Sequence, residues 1–387
     1  MKHSALFPIT LIAFLDVLAF AMVMPMLPFY AQDLGATPAQ VGALIATYAV
    51  FALFSGPLLG RAADRFGRKP ILLLSQVGSL LGFAMLALAP SLVWLFVGRA
   101  LDGVTAGNLL AARAYISDVT APKDRSAAFG LIAAAFGFGY LVGPAGSALL
   151  SSYGHALPLW TATALALLGL ISTLVMLPST RPLPSVEPPL PARLLFQLPG
   201  VGARLAQWFA FLIAFSLFTS GFAMYAERRL DWDGHAFGPI EVGVALAWLG
   251  ALGLVAQLVV LRRVVARFGE ARVVEVSAVV AAIGYGLLAT THDVVLLALA
   301  LSLAGLGVSL LRPALLGLIS NAVPPSRQGL VFGVTNSLQS IALILAPLVA
   351  GGLIHVGWIA AWALCCAAAL VVARLIAPRG AVVATAA

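Results

Sequence analysis

Long unbroken apolar runs fix the solvent in which this chain folds. Twelve can be placed, at residues 6–30, 38–59, 71–88, 92–114, 126–150, 156–177, 203–226, 239–261, 273–290, 294–319, 328–353 and 357–376. A helix needs roughly 20 apolar residues to cross the hydrocarbon core of a bilayer, and most of these runs have that length. They are continuous, without the alternation of a membrane β-barrel. The first follows Lys2 and His3 and is too long for a signal peptide, so it is expected to be a span.

Composition agrees where it bears on the argument. Apolar residues make up 62% of the chain and charged residues 9%, against roughly 25% charged in soluble domains. A cytosolic globular enzyme, a disordered chain and a disulfide-stapled secreted domain are excluded. The net charge of +8 points to the membrane rather than to nucleic acid. With both termini inside, 18 of the 22 Lys and Arg fall in cytoplasmic segments, and only Arg228 and Arg229 fall outside. That bias sets the expected topology. Cys365 and Cys366 are adjacent in an apolar run and read as packing residues.

Residues 178–200 hold seven prolines, which no helix tolerates. They read as a semi-rigid cytoplasmic linker. The expected organisation is a six-helix bundle over 1–177, a Pro-rich linker over 178–201 and a second six-helix bundle over 202–387. The bundles repeat. RAADRFGRK at 61–69 returns as RVVARFGEA at 263–271, and ISDVTAPKDRSAAFG at 116–130 as ISNAVPPSRQGLVFG at 319–333. Such a repeat implies a pseudo-two-fold axis along the membrane normal and a binding site between the halves. The copies differ: Asp64 becomes Ala266, and the second lacks the buried charges of spans 1 and 4.

Those buried charges are the main functional signal, since an ionisable group within a span is costly to keep there. Asp16 lies ~15 Å into span 1, and Asp102 ~15 Å into span 4, by helical rise. Both are therefore placed near the midplane. Arg99 can pair with Asp102 at i,i+3. Burial favours the neutral acid and a nearby guanidinium favours the carboxylate, so a group balanced between them can load and release a proton. Arg312, followed by Pro313 in span 10, is a further candidate. Aromatic side chains in the spans, among them Phe20, Tyr48, Phe215, Phe218 and Trp248, suit an apolar cavity and a lipophilic, even cationic, ligand. No metal-ligand spacing and no cofactor motif is visible, and no catalytic residue is expected. Neither G-x-S-x-G, H-E-x-x-H nor a P-loop occurs.

The loop between spans 2 and 3 reads Gly60-Arg61-Ala62-Ala63-Asp64-Arg65-Phe66-Gly67-Arg68-Lys69. It resembles the signature of the major facilitator superfamily at the same place. Leu95, Arg99 and Gly103 in span 4 resemble that superfamily's second motif. Gly139, Gly143, Pro144 and Gly146 in span 5 resemble the motif of its drug–proton antiporters. LDVLAFAMVMPMLP at 15–28 and YAERRLDW at 225–232 are similar to tetracycline-type efflux transporters, a likeness that runs through essentially the whole chain.

The resemblance implies an all-α integral membrane protein with the major-facilitator fold, twelve transmembrane helices in two six-helix pseudo-symmetric halves. It implies a conformational latch built from Gly60, Asp64, Arg65, Gly67, Arg68 and Asp118. It also implies proton-coupled efflux of a small lipophilic, drug-like compound by alternating access. The buried charges place the expected site at Asp16, Asp102 and Arg312. The resemblance adds Arg99 as the partner that tunes the carboxylates, although the family motif usually has a neutral polar residue at the place of Asp102. A monomer in a bacterial inner membrane is expected. Its partners would be a small-molecule substrate, protons and the lipid bilayer. A proton-coupled importer or uniporter is the alternative, and a non-transporting membrane sensor a remote one. The tetracycline pumps carry polar or acidic residues in spans 2, 3, 8 and 9. Here the aligned places read Ala52, Gly82, Leu254 with Val255, and Ala281, so a more apolar substrate is expected.

Overall fold

A computed structural model describes residues 6–120, 125–154, 156–178, 195, 198, 200–323 and 328–378. Lys2, Lys123, Arg181, Arg193, Arg327, Arg379 and the linker prolines after Pro178 lie outside the described residues. The rest is almost entirely helix. Spans 1 to 3 are Leu6–Asp33, Pro38–Phe66 and Arg68–Ala87. Span 4 is Leu92–Val104 continued by Asn108–Val119. Spans 5 to 7 are Arg125–Ser151, Leu157–Met176 and Val201–Arg229. Spans 8 and 9 lie in one hydrogen-bonded stretch from Pro239 to Leu287 that turns at Gly269. Spans 10 to 12 are Val294–Asn321, Gln328–His355 and Ile359–Leu375. After span 7, Asp231–Trp232 pairs with His235–Ala236. Asp233 and Gly234 between them both have positive φ, as a two-residue hairpin turn requires.

Local chemistry explains several boundaries. Thr37 caps span 2, its side chain accepting from the Gln40 amide while Gln40 Oε1 accepts from the Thr37 amide. This reciprocal box satisfies two otherwise orphaned donors. Asp293 caps span 10 by accepting from the Leu296 amide at 2.8 Å. The chain passes from span 2 to span 3 at Gly67, with φ 99° and ψ 161°. Gly269 repeats that conformation, with φ 76° and ψ 156°. Both lie in a region essentially closed to residues with a Cβ.

Three boundaries differ from the sequence reading: span 2 runs on past residue 59 to Phe66, and spans 4 and 8 also depart. Span 4, expected as one run, breaks at 105–107. Thr105 Oγ1 turns back to the Leu101 carbonyl, and the Gly107 amide donates to the Thr105 carbonyl at 2.7 Å. A hydroxyl competing for backbone groups between two glycines weakens the helix there. Span 8 continues past residue 261 to the turn at Gly269, through a π-helical segment at Ala256–Leu261.

The contacts divide the chain into two compact units, 1–187 with 238–247 and 188–237 with 248–387. In the first unit, span 1 packs on spans 5 and 6, span 3 on spans 4 and 6, and span 2 on span 4. In the second, span 7 packs on spans 11 and 12, and span 9 on spans 10 and 12. Apart from span 2 on span 4, these pairings match at a shift of six spans. Without a hydrophobic drive between helices in lipid, close backbone approach supplies the packing energy. A Cβ on Gly82 would stand 3.0 Å from the Asp102 Cβ and from the Gly98 carbonyl. A Cβ on Gly284 would stand 2.4 Å from the Ala304 amide and 2.7 Å from the Ala300 carbonyl.

Candidate functional site

The first unit gathers its polar groups around spans 1, 3 and 4. Arg99 is 1% exposed and Asp102 4%. Arg99 Nη1 donates to Asp102 Oδ2 at 3.1 Å, which is the i,i+3 pair read from the sequence. Ser79 donates to the other oxygen, Oδ1, at 2.9 Å. Asn108 Nδ2 reaches the Ser79 hydroxyl at 3.4 Å. The guanidinium lies over Tyr48, 4.5 Å from the ring centroid, and 5.9 Å from that of Phe20. A buried charge is tolerated when it is paired, hydrogen-bonded and lies against a ring face, and Arg99 has all three supports.

Asp16 is half-buried on span 1 and within electrostatic reach of Asp102. Its Oδ1 would lie 3.6 Å from a Cβ on Gly169 of span 6. The structure pairs Arg99 with Asp102 rather than with Asp16. Polarity nearby continues through side chains that the charge-based reading passed over: Ser75, Gln76 and Asn108. Gln76 is 1% exposed, and neither of its amide atoms has a partner. The signal was available, as a neutral amide one turn before Ser79, but a charge count does not register it.

The span 5 glycines lie against span 1. A Cβ on Gly143 would fall 2.5 Å from the Ala21 Cβ, and one on Gly139 would fall 2.9 Å from Val17. Gly146 is different, since its Cβ would meet only the Met22 methyl at an ordinary 3.6 Å. Pro144 sits within a continuous helix, and its carbonyl lies 2.8 Å from where a Gly243 Cβ would be. The close approach thus flanks the turn of span 1 that follows Asp16.

In the 2–3 loop, Arg68 joins two acids. Its Nη1 donates to Asp64 and its Nε to Asp118 Oδ2 at 2.9 Å. Gly60 packs against Leu110. Arg65 is exposed and lies over the neighbouring Phe66 ring, apart from the two acids. Lys69 donates to the Leu174 carbonyl at 3.0 Å, in the last turn of span 6.

The second unit is rich in aromatic packing, and its buried cation, Arg204, donates to the neutral Gln207 at 2.9 Å. Phe218 stacks on Tyr285 at 5.0 Å, and Tyr225 meets Trp362 at 4.9 Å. Arg312 stands in this unit, over Phe215 at 5.8 Å from the centroid. Glu275 accepts from Arg374 of span 12 at 3.4 Å. The π-helical segment borders a cavity of about 260 Å3 lined in part by Gln257, Arg262, Glu270 and Pro313.

The Major Facilitator Superfamily family model matches residues 9–259 and 208–382. Tetracycline resistance protein, class C, of Escherichia coli is 30% identical over 359 residues, covering 90% of this chain and 89% of the relative. Multidrug resistance protein 1 of Bacillus subtilis (strain 168) is 27% identical over 351 residues, covering 89% and 88%. Among solved structures, the nucleoside transporter NupG superposes with a TM-score of 0.74 at 17% identity, covering 97% and 98%. The human organic anion transporter MFSD10 (TETRAN) gives 0.73 at 22% identity, covering 97% and 99%. These two likenesses are ones of fold.

Proposed function

This chain belongs to the major facilitator superfamily, and from that premise we propose that it exports a small lipophilic compound in exchange for protons. The observation that carries the reading is the polar cluster in the first unit. Asp16 is half-buried deep in span 1, beside a fully enclosed Arg99–Asp102 pair. A carboxyl group kept at such a depth is a functional group by default. Asp16 is assigned as the proton-carrying acid. Arg99 and Asp102 form a fixed charge pair that sets its electrostatic surroundings.

Alternating access needs a latch and a sliding surface. Arg68 with Asp64 and Asp118 is the latch, and the Gly139–Gly143 contact with span 1 is the surface. Movement of span 1 against span 5 changes the exposure of Asp16, and with it the balance between burial and solvation that decides protonation. The partly exposed aromatics Phe20, Tyr48 and Phe215 favour an apolar or cationic aromatic compound, and the resistance proteins among the relatives favour export over import. Arg312 is assigned to substrate contact through its place beside Phe215. The protein is read as a carrier and not an enzyme, acting as a monomer in a bacterial inner membrane. The bias of Lys and Arg puts both termini in the cytoplasm.

The test uses purified protein in liposomes with an acidic lumen and the lipophilic cation ethidium outside. An antiporter concentrates the dye inside as protons leave. A uniporter only equilibrates it, and a symporter drives it outward; either result contradicts the proposal. Asp16→Asn is expected to abolish concentration of the dye.

A further inference from the structure

Gln76 is buried in span 3 with both ends of its carboxamide unpartnered. An unsatisfied buried amide destabilises the fold unless something uses it. Its position shows what could. A Cβ placed on Gly169 would lie 3.5 Å from Gln76 Nε2 and 3.6 Å from Asp16 Oδ1. The amide of span 3 and the carboxyl of span 1 thus converge on one glycine of span 6. Gly169 is itself buried, and a Cβ there would also meet the Leu15 Cβ at 3.9 Å, so the two polar groups face a tightly walled spot between the three helices.

We propose that Gln76 is a positioning residue for Asp16, a hydrogen-bond partner that follows the acid through its protonation cycle. A carboxamide carries a donor at one end and an acceptor at the other. It donates from Nε2 to the ionised carboxylate and accepts at Oε1 from the protonated acid. Because neither end is engaged elsewhere, the amide turns over without breaking another bond. An arginine could serve only the ionised state, and a hydrophobic residue neither. The inference rests on Asp16 being the titrating group assigned above.

The other groups that act on Asp16 are named readily. Asp102 of span 4 acts on Asp16 directly, and Tyr48 of span 2 is coupled to Asp16, to Arg99 and Asp102, and to Tyr140 of span 5. Spans 3 and 4 carry Arg68, Lys69, Arg113, Tyr115 and Asp118 further toward the cytoplasmic loops, and Arg125 begins span 5. Span 6 carries no titratable side chain. Gln76 is neutral, so replacing it leaves all of these charges in place.

The test is infrared difference spectroscopy of the carboxylic acid C=O band in the full-length protein, titrated with pH. Asp16→Asn identifies the band. Gln76→Met keeps the length of the side chain and removes both hydrogen-bonding ends. Donation to a charged carboxylate is the stronger of the two bonds, so its loss favours the neutral acid. The midpoint is expected to move up by about one pH unit, on the difference between charged and neutral hydrogen bonds. The band is expected to move to higher frequency as the acid loses its acceptor. Gln76→Glu, the second variant, sets a like charge beside Asp16 and is expected to raise the midpoint further. An unmoved band and midpoint in both variants would overturn the inference, and higher thermal stability of Gln76→Met alongside would mark an idle amide. Dye concentration by Asp16→Asn equal to wild type would sink the functional reading instead, and leaves the infrared result readable.

Discussion

Spans 3 and 4 and spans 9 and 10 are the same pair of helices built twice. Gly82 meets Gly98 and Asp102 as Gly284 meets Ala300 and Ala304, at a constant offset of 202 residues. The backbone approach is kept while the chemistry is removed. Where the first pair holds Gln76, Ser79, Arg99 and Asp102, the second holds Ala278, Ala281, Leu301 and Ala304, all buried. The loops show the same division. Arg68 bridges Asp64 and Asp118, whereas its counterpart Glu270 accepts from Asn321 Nδ2 at its two oxygens, at 3.2 and 3.5 Å, and Ala266 replaces the first acid. The second unit shows that the packing does not require the charges. Packing alone therefore does not account for the charges of the first pair.

The comparison can be broken most forcefully at Arg99. Arg99→Leu leaves Asp102 buried without its cation, which costs about 3–5 kcal/mol for a buried pair broken on one side. Arg99→Leu with Asp102→Ala copies Leu301 and Ala304. That double variant is expected to recover most of the lost stability, read by thermal unfolding in detergent, yet to lose proton-coupled transport. A double variant that transports like wild type would reduce the pair to packing.

The turn glycines sharpen the equivalence of the two copies. Gly67→Ala and Gly269→Ala each force a Cβ into a glycine-only conformation, at about 1–3 kcal/mol. The two losses in unfolding free energy are expected to agree. A cost confined to Gly67→Ala would mean that only the first loop is structurally constrained.

The smallest stability effect belongs to the ion pairs. Arg68→Ala disturbs partly exposed contacts worth about 0–1 kcal/mol, and Glu270→Ala less. Transport is where they part. Slower dye export is expected for Arg68→Ala and near-normal export for Glu270→Ala. Equal rates in the two variants would remove the latch from the account.

Much of this was legible in the residues. The Arg99–Asp102 pair follows from i,i+3 spacing, and the glycine turns from a motif that recurs at fixed offset. Span 4 reads as one continuous run because no proline marks its break. The interruption comes from a threonine hydroxyl bonding its own backbone between two glycines. Gly82 was counted as a missing polar partner, but it makes room for Asp102 on the facing helix. That exchange between helices cannot be seen one span at a time. Gln76 escaped because its importance lies in having no partner, which only the three-dimensional arrangement reveals.

The central claim is that the proton is carried in the first unit by Asp16. The most direct measurement is dye-driven proton movement in liposomes given an ethidium gradient but no imposed pH gradient, with a pH indicator in the lumen, for wild type and Asp16→Asn. The account predicts that the variant still exchanges ethidium down its concentration gradient while the lumenal pH stays flat. Proton movement in Asp16→Asn equal to that of wild type would contradict it.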